Sequence, residues 1–128
     1  VYQRIGIAYG IVNSIDGYDE ISLTSDFKVT TNDYARVFKP ADLGFDIARP
    51  EELVGGATEE EAAQIFDAVL QGTALQAQKN IVMANAAFAI QVLEKGKKSI
   101  EECIDIARES LDSGKALSTF RRFVEINS

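Results

Sequence analysis

Residues 4–12, "RIGIAYGIV", set Ile5, Ile7, Tyr9 and Ile11 in alternation with Gly6, Ala8, Gly10 and Val12, with no charge after Arg4. A period of two with apolar residues on both sides is the pattern of a strand buried on both faces. Such a strand needs neighbours on its edges and cover above and below. The run also stands within a few residues of a first residue that is not methionine, so the expectation is a piece of something longer.

The following segments indicate where some of that cover comes from. "NSIDGYD" brings Asn, Ser, Asp and Gly together in a turn composition. "EISLTS" and "FKVTT" then carry β-branched and aromatic residues up to Asn32-Asp33, and "YARVF" resumes the alternation before Pro40. This predicts a hairpin with a short turn at Asn32-Asp33. Between residues 39 and 56, two prolines and scattered acids predict a helical turn at "PADLG" and a surface loop through "DIARPEELVGG".

Helices occupy the remainder. Thr58 and Glu61 have capping-box spacing, and Ala62, Ile65, Phe66, Val69 and Leu70 form a stripe that stops at Gly72. Residues 76–95 are apolar on nearly every side and predict a buried central helix. Ser99 and Glu102 repeat the capping spacing before a stripe of Ile100, Cys103, Ile104, Ala107 and Leu111, which ends near Gly114. Ala116, Leu117, Phe120, Phe123 and Val124 predict a last helix docked on the others. Strands first and helices after suggest α+β by order alone, but a strand buried on both faces belongs to an α/β sheet whose other strands lie elsewhere, and α/β is the class expected.

With 128 residues, 46% of them hydrophobic, residues 1–128 are expected to form a single domain or subdomain. The 20 acidic against 13 basic residues give a formal charge of −7, which argues against binding nucleic acid or an anionic membrane surface. A lone cysteine, no signal-peptide pattern and no apolar run of about twenty residues point to the cytoplasm. The chain has no histidine, which removes the commonest general base and every imidazole metal site; any metal would be held by oxygen.

The adjacent acids Asp19 and Glu20 are the candidate ligands. On a regular strand they would point to opposite faces, so serving one ion requires a bend there. Bent, they offer the hard oxygens that Mg²⁺ takes while sharing its shell with water and substrate phosphates. An acidic turn that keeps a strand end solvated is the commoner use of such a pair. Gly55-Gly56 ahead of the Thr58 helix resemble an anion site, but Glu59, Glu60 and Glu61 repel phosphate and the lysine of a nucleotide loop is missing. Asn80 and Asn85 are polar residues in an apolar helix and are expected to bind backbone or a neighbouring loop. Cys103 is expected to be a small core residue.

Taken together, "IDGYDEISLT" (residues 15–24), "PADLGF" (40–45), "VGGATEEEAAQIFDAVLQG" (54–72), "NIVMANAAFAI" (80–90) and "ARESLDSGKAL" (107–117) resemble, in order and spacing, the C-terminal portion of the anthranilate phosphoribosyltransferase family. The resemblance implies the C-terminal part of a catalytic α/β domain of the nucleoside phosphorylase/phosphoribosyltransferase type, with a few strands and a hairpin followed by about four helices. It implies a cytoplasmic, homodimeric enzyme of tryptophan biosynthesis that transfers the 5-phosphoribosyl group of phosphoribosyl pyrophosphate to anthranilate, with Mg²⁺ neutralising the departing pyrophosphate. Asp19 and Glu20 map onto the family's paired metal-binding carboxylates. Asn13 stands where the family commonly has histidine, and Ser25 where it commonly has glycine. The family's Gly-Thr-Gly-Gly-Asp pyrophosphate loop and anthranilate-binding residues belong to an upstream half, so this chain alone is expected to be inactive. Two other readings of the architecture are a non-catalytic relative that binds nucleic acid and a pyrimidine-nucleoside phosphorylase relative.

Overall fold

The computed structural model of the chain describes residues 6–53, 55 and 57–128. Three strands, β1 (Gly10–Ser14), β2 (Phe27–Thr31) and β3 (Ala35–Phe38), precede two short 3-10 turns (Pro40–Leu43 and Pro50–Leu53). Four helices follow: α1 (Glu59–Gln71), α2 (Gln76–Leu93), α3 (Ile100–Asp112) and α4 (Lys115–Ile126). This is a small α/β arrangement, as expected. The sheet is an antiparallel meander in the order β1-β2-β3, with Ile11 opposite Thr30 and Phe27 opposite Phe38.

The hairpin turns at Asn32-Asp33, where the Thr31 N–H donates to the Tyr34 carbonyl at 2.8 Å. Alternation then puts Phe27, Val29 and Phe38 on one face against Phe88 of α2, with Phe27 and Phe88 edge-to-face at 5.9 Å. Met83, Ala84, Ala87 and Phe88 of α2 and Ile100, Cys103, Ile104, Ala107 and Leu111 of α3 complete the core. Burying one such side chain contributes about 1.5–3 kcal/mol. Gly72 and Gly114 both adopt positive φ at the helix ends where the sequence placed them. Thr58 and Ser99 cap α1 and α3, each hydroxyl accepting from the amide three residues on.

Four expectations are corrected. The strand foreseen over residues 4–12 begins only at Gly10, and its first two residues lie outside the described residues. Among the described residues it is an edge strand paired to β2 alone, and Ile11, 48% exposed, shares with Thr30 the sheet face turned away from the core; Ile7 ahead of it is 47% exposed. "EISLTS" is an irregular loop rather than strand, since its backbone groups bond to side chains and to a single distant amide. Helix α2 buries one side only: Val82, Ala89 and Leu93 are exposed, Leu93 by 80%. The stripe of α1 buries only Val69, and α4 buries nothing; the two meet through Phe66 and Phe120, whose rings lie 4.8 Å apart. Their amphipathic faces are real, but the described residues supply little to cover them.

Candidate metal loop

The β1–β2 connection, residues 15–26, carries Asp19 and Glu20 in a bend, not in a strand. The backbone curvature that two adjacent carboxylates need is therefore present. Both are exposed, and Ile21, Ser22 and Leu23 immediately after them are buried. The loop thus rises from the core, and its acidic tip stands in water.

The roots of the loop are closed by backbone bonds. The Ser14 amide donates to the Tyr18 carbonyl at 2.9 Å, and the Ile15 amide to the Asp26 carbonyl at 2.9 Å. Beneath the tip runs a line of hydroxyls. Ser14 Oγ donates to the Glu20 carbonyl at 2.7 Å and accepts from the Ser22 amide at 3.0 Å. Ser22 Oγ lies 2.9 Å from Ser14 Oγ and 2.7 Å from Thr24 Oγ1, and Thr24 Oγ1 donates to Asp16 Oδ2. Leu23, at φ +60, turns the chain so that its carbonyl accepts from the Ala48 amide at 2.8 Å.

Helix α2 holds the loop from the other side. Asn85 Oδ1 accepts from the Ile21 amide at 3.1 Å, and Asn85 Nδ2 donates to the Ile21 carbonyl at 2.8 Å and to the Ile81 carbonyl at 2.9 Å. The expectation that Asn85 binds a neighbouring loop is met, and Asn80 accepts from Gln76 Nε2. The hydroxyl line was missed in the sequence; the recurrence of Ser14, Ser22, Thr24 and Ser25 about the acidic motif was its only signal.

The other candidates separate from this loop. Gly55 lies in open space, and Gly56 falls outside the described residues. Cys103 is a buried free thiol whose pKa is raised by burial, in keeping with a core role. Asn13 lies on β1 just ahead of the loop, and Ser25 lies within it, accepting from the Asp16 amide. Two clefts, of about 320 and 380 Å³, follow the open side of β1 and the end of α2; neither is lined by Asp19 or Glu20. No group of three or more metal-liganding side chains occurs among the described residues; of the loop's four carboxylates, Asp19 and Glu20 are adjacent, and Asp16 accepts from Thr24. No helix among the described residues is long and apolar enough to cross a membrane.

Comparison with known proteins gives this geometry a lineage. The family model "Glycosyl transferase family, a/b domain" matches residues 2–117. An anthranilate phosphoribosyltransferase of Phocaeicola vulgatus is 58% identical over 128 residues, all of this chain and 38% of that protein. One from Bacteroides fragilis is 56% identical over 126 residues, 98% of this chain and 38% of its own length. Among solved structures, the Thermus thermophilus anthranilate phosphoribosyltransferase superposes with a TM-score of 0.83 at 29% identity, covering 96% of this chain and 36% of that one. The Saccharomyces cerevisiae enzyme, solved in complex with PRPP and Mg, shares the fold at a TM-score of 0.78 and 22% identity, over 92% of this chain and 33% of that one. The chain spans a little over a third of the length of the curated relatives it matches. It belongs to the glycosyl transferase family named by the model.

Proposed function

We propose that this family member is the C-terminal portion of the catalytic domain of an anthranilate phosphoribosyltransferase, and that Asp19 and Glu20 hold its Mg²⁺. In this reading the intact protein, a cytoplasmic homodimer of tryptophan biosynthesis, transfers the 5-phosphoribosyl group of phosphoribosyl pyrophosphate to the amino group of anthranilate and releases pyrophosphate. The observation that carries it is the exposed acidic bend, found in a chain 58% identical over its whole length to an enzyme of that name.

The donor set fits the ion. Mg²⁺ commonly takes one or two carboxylates and completes its shell with waters and substrate phosphates, and two exposed carboxylates, with no cluster of three such ligands among the described residues, are an open site of that kind. The bound ion supplies positive charge against the leaving pyrophosphate. Asp19 and Glu20 draw the divalent cation to the rim of the loop and repel unescorted pyrophosphate by like charge, so metal and substrate are favoured together. The buried residues behind them keep the pair facing outward. Two carboxylates cannot orient two substrates, and the 128-residue chain alone is expected to be inactive.

The test is Asp19→Asn with Glu20→Gln in the longer protein that contains this chain. We expect kcat to fall by about a hundredfold or more and the magnesium requirement to rise. An unchanged magnesium dependence rejects the assignment of the pair. Phosphoribosyl transfer by the purified 128-residue chain would show that the reaction needs nothing further.

A further inference from the structure

The C=O of Glu20 and the N–H of Ile21 belong to one peptide unit, and each is held by a side chain from a different element. Ser14, the last residue of β1, donates to the oxygen at 2.7 Å; Asn85 of α2 accepts from the nitrogen at 3.1 Å. A planar peptide fixed at both polar atoms cannot swivel, because its six atoms turn as a unit. Glu20 Cα is part of that plane, and Asp19 precedes it directly. We propose that Ser14 and Asn85 are positioning residues that set the direction of the Asp19–Glu20 pair; the inference rests on the reading of that pair as the metal ligands.

Both side chains are themselves held. Ser14 is 2% exposed, and its oxygen takes the Ser22 amide while contacting Ser22 Oγ. The Glu20 carbonyl can only accept, so the Ser14 hydroxyl proton lies on it, while Ser22 Oγ and the Ser22 amide donate to Ser14 Oγ and Thr24 Oγ1 donates to Asp16. Asn85 donates to the carbonyls of Ile21 and of Ile81, which orients its amide: oxygen toward the Ile21 N–H, nitrogen toward the two carbonyls. Neither residue reaches solvent at the loop tip as a ligand would. Their effect passes through the backbone, as with groups that orient metal ligands from behind.

Ser14→Ala removes one hydroxyl in a buried place, and Asn85→Asp keeps the shape of the amide while setting a carboxylate against two carbonyls. In the longer protein, Mn²⁺ binding in the presence of phosphoribosyl pyrophosphate is read by electron paramagnetic resonance, alongside the magnesium concentration for half-maximal rate. Each variant is expected to weaken Mn²⁺ binding by about ten- to a hundredfold, with kcat recovering at saturating magnesium. Asp19→Asn with Glu20→Gln is the reference. If the reference loses Mn²⁺ and folded Ser14→Ala binds it as the parent does, the positioning role is overturned and the ligand assignment stands. If the reference binds Mn²⁺ as the parent does, both fall. Should Asn85→Asp fail to fold, Ser14→Ala decides the matter alone.

Discussion

Gly10 faces Val92 so closely that a β-carbon on residue 10 would lie 2.8 Å from Val92 Cγ2. Gly10 has no positive φ, so contact rather than backbone conformation is what calls for glycine. Gly10→Ala is expected to cost about 1–3 kcal/mol, the usual range for overpacking, because a β-branched valine on a helix has little rotamer freedom to yield. Val92→Ala in the same chain should return part of that loss, and a double-mutant cycle in urea measures the coupling. Strict additivity of the two would show that residues 10 and 92 do not touch.

Lys95, two residues past the end of α2, is exposed and holds φ +54, with Gly96 at φ +72 behind it. Left-handed backbone costs a residue bearing a β-carbon about 1–2 kcal/mol, part of which glycine gives back through its freer unfolded chain. Lys95→Gly is therefore expected to stabilise by about 0.5–1 kcal/mol, read as a higher urea midpoint at an unchanged slope.

Burial raises the pKa of Tyr34, whose hydroxyl donates to Gln91 Oε1 at 2.6 Å, and of the Cys103 thiol. Both groups hold their protons longer folded than unfolded. Their contribution is fully present below the unfolded pKa values, about 8.5 for cysteine and 10 for tyrosine, and is lost as pH rises through the folded ones. Stability should fall above about pH 9, and Cys103 should resist iodoacetamide at pH 8 until urea is added. Rapid alkylation of the folded chain would contradict its burial.

Along β1, Gly10 and Val12 face Val92 and the exposed Leu93 across a groove, and Ile11 on the strand's other face is also exposed. An open edge with apolar residues beside it is a template for another chain. The 128-residue chain is expected to sediment as a dimer or larger species at high concentration. A strict monomer throughout, with the amides of residues 10–12 protected from exchange, would mean that the edge is already satisfied.

The features legible in the sequence were those whose cause is local. Thr58 and Ser99 announce their helices because a cap acts within three residues, and Asn32-Asp33 announces the hairpin for the same reason. The alternation over residues 4–12 signals burial without saying what buries it, and its described part is half open. "EISLTS" misled because β-branched residues signal a pleated surface, whereas here the partners are Asn85, Ser14 and Ala48. Asp19 and Glu20 stood out through the family motif; the hydroxyls that support them have no motif and come together only when the loop folds back.

The bonds within the acidic loop and to Ser14 at its root join residues one to eleven positions apart, whereas the Asn85 clamp spans 64. Short closures form quickly and cost little chain entropy; a long one waits for the helix to dock. In a refolding time course the loop should therefore acquire its curl before it acquires its bearing, and its carboxylates would point nowhere in particular until α2 arrives.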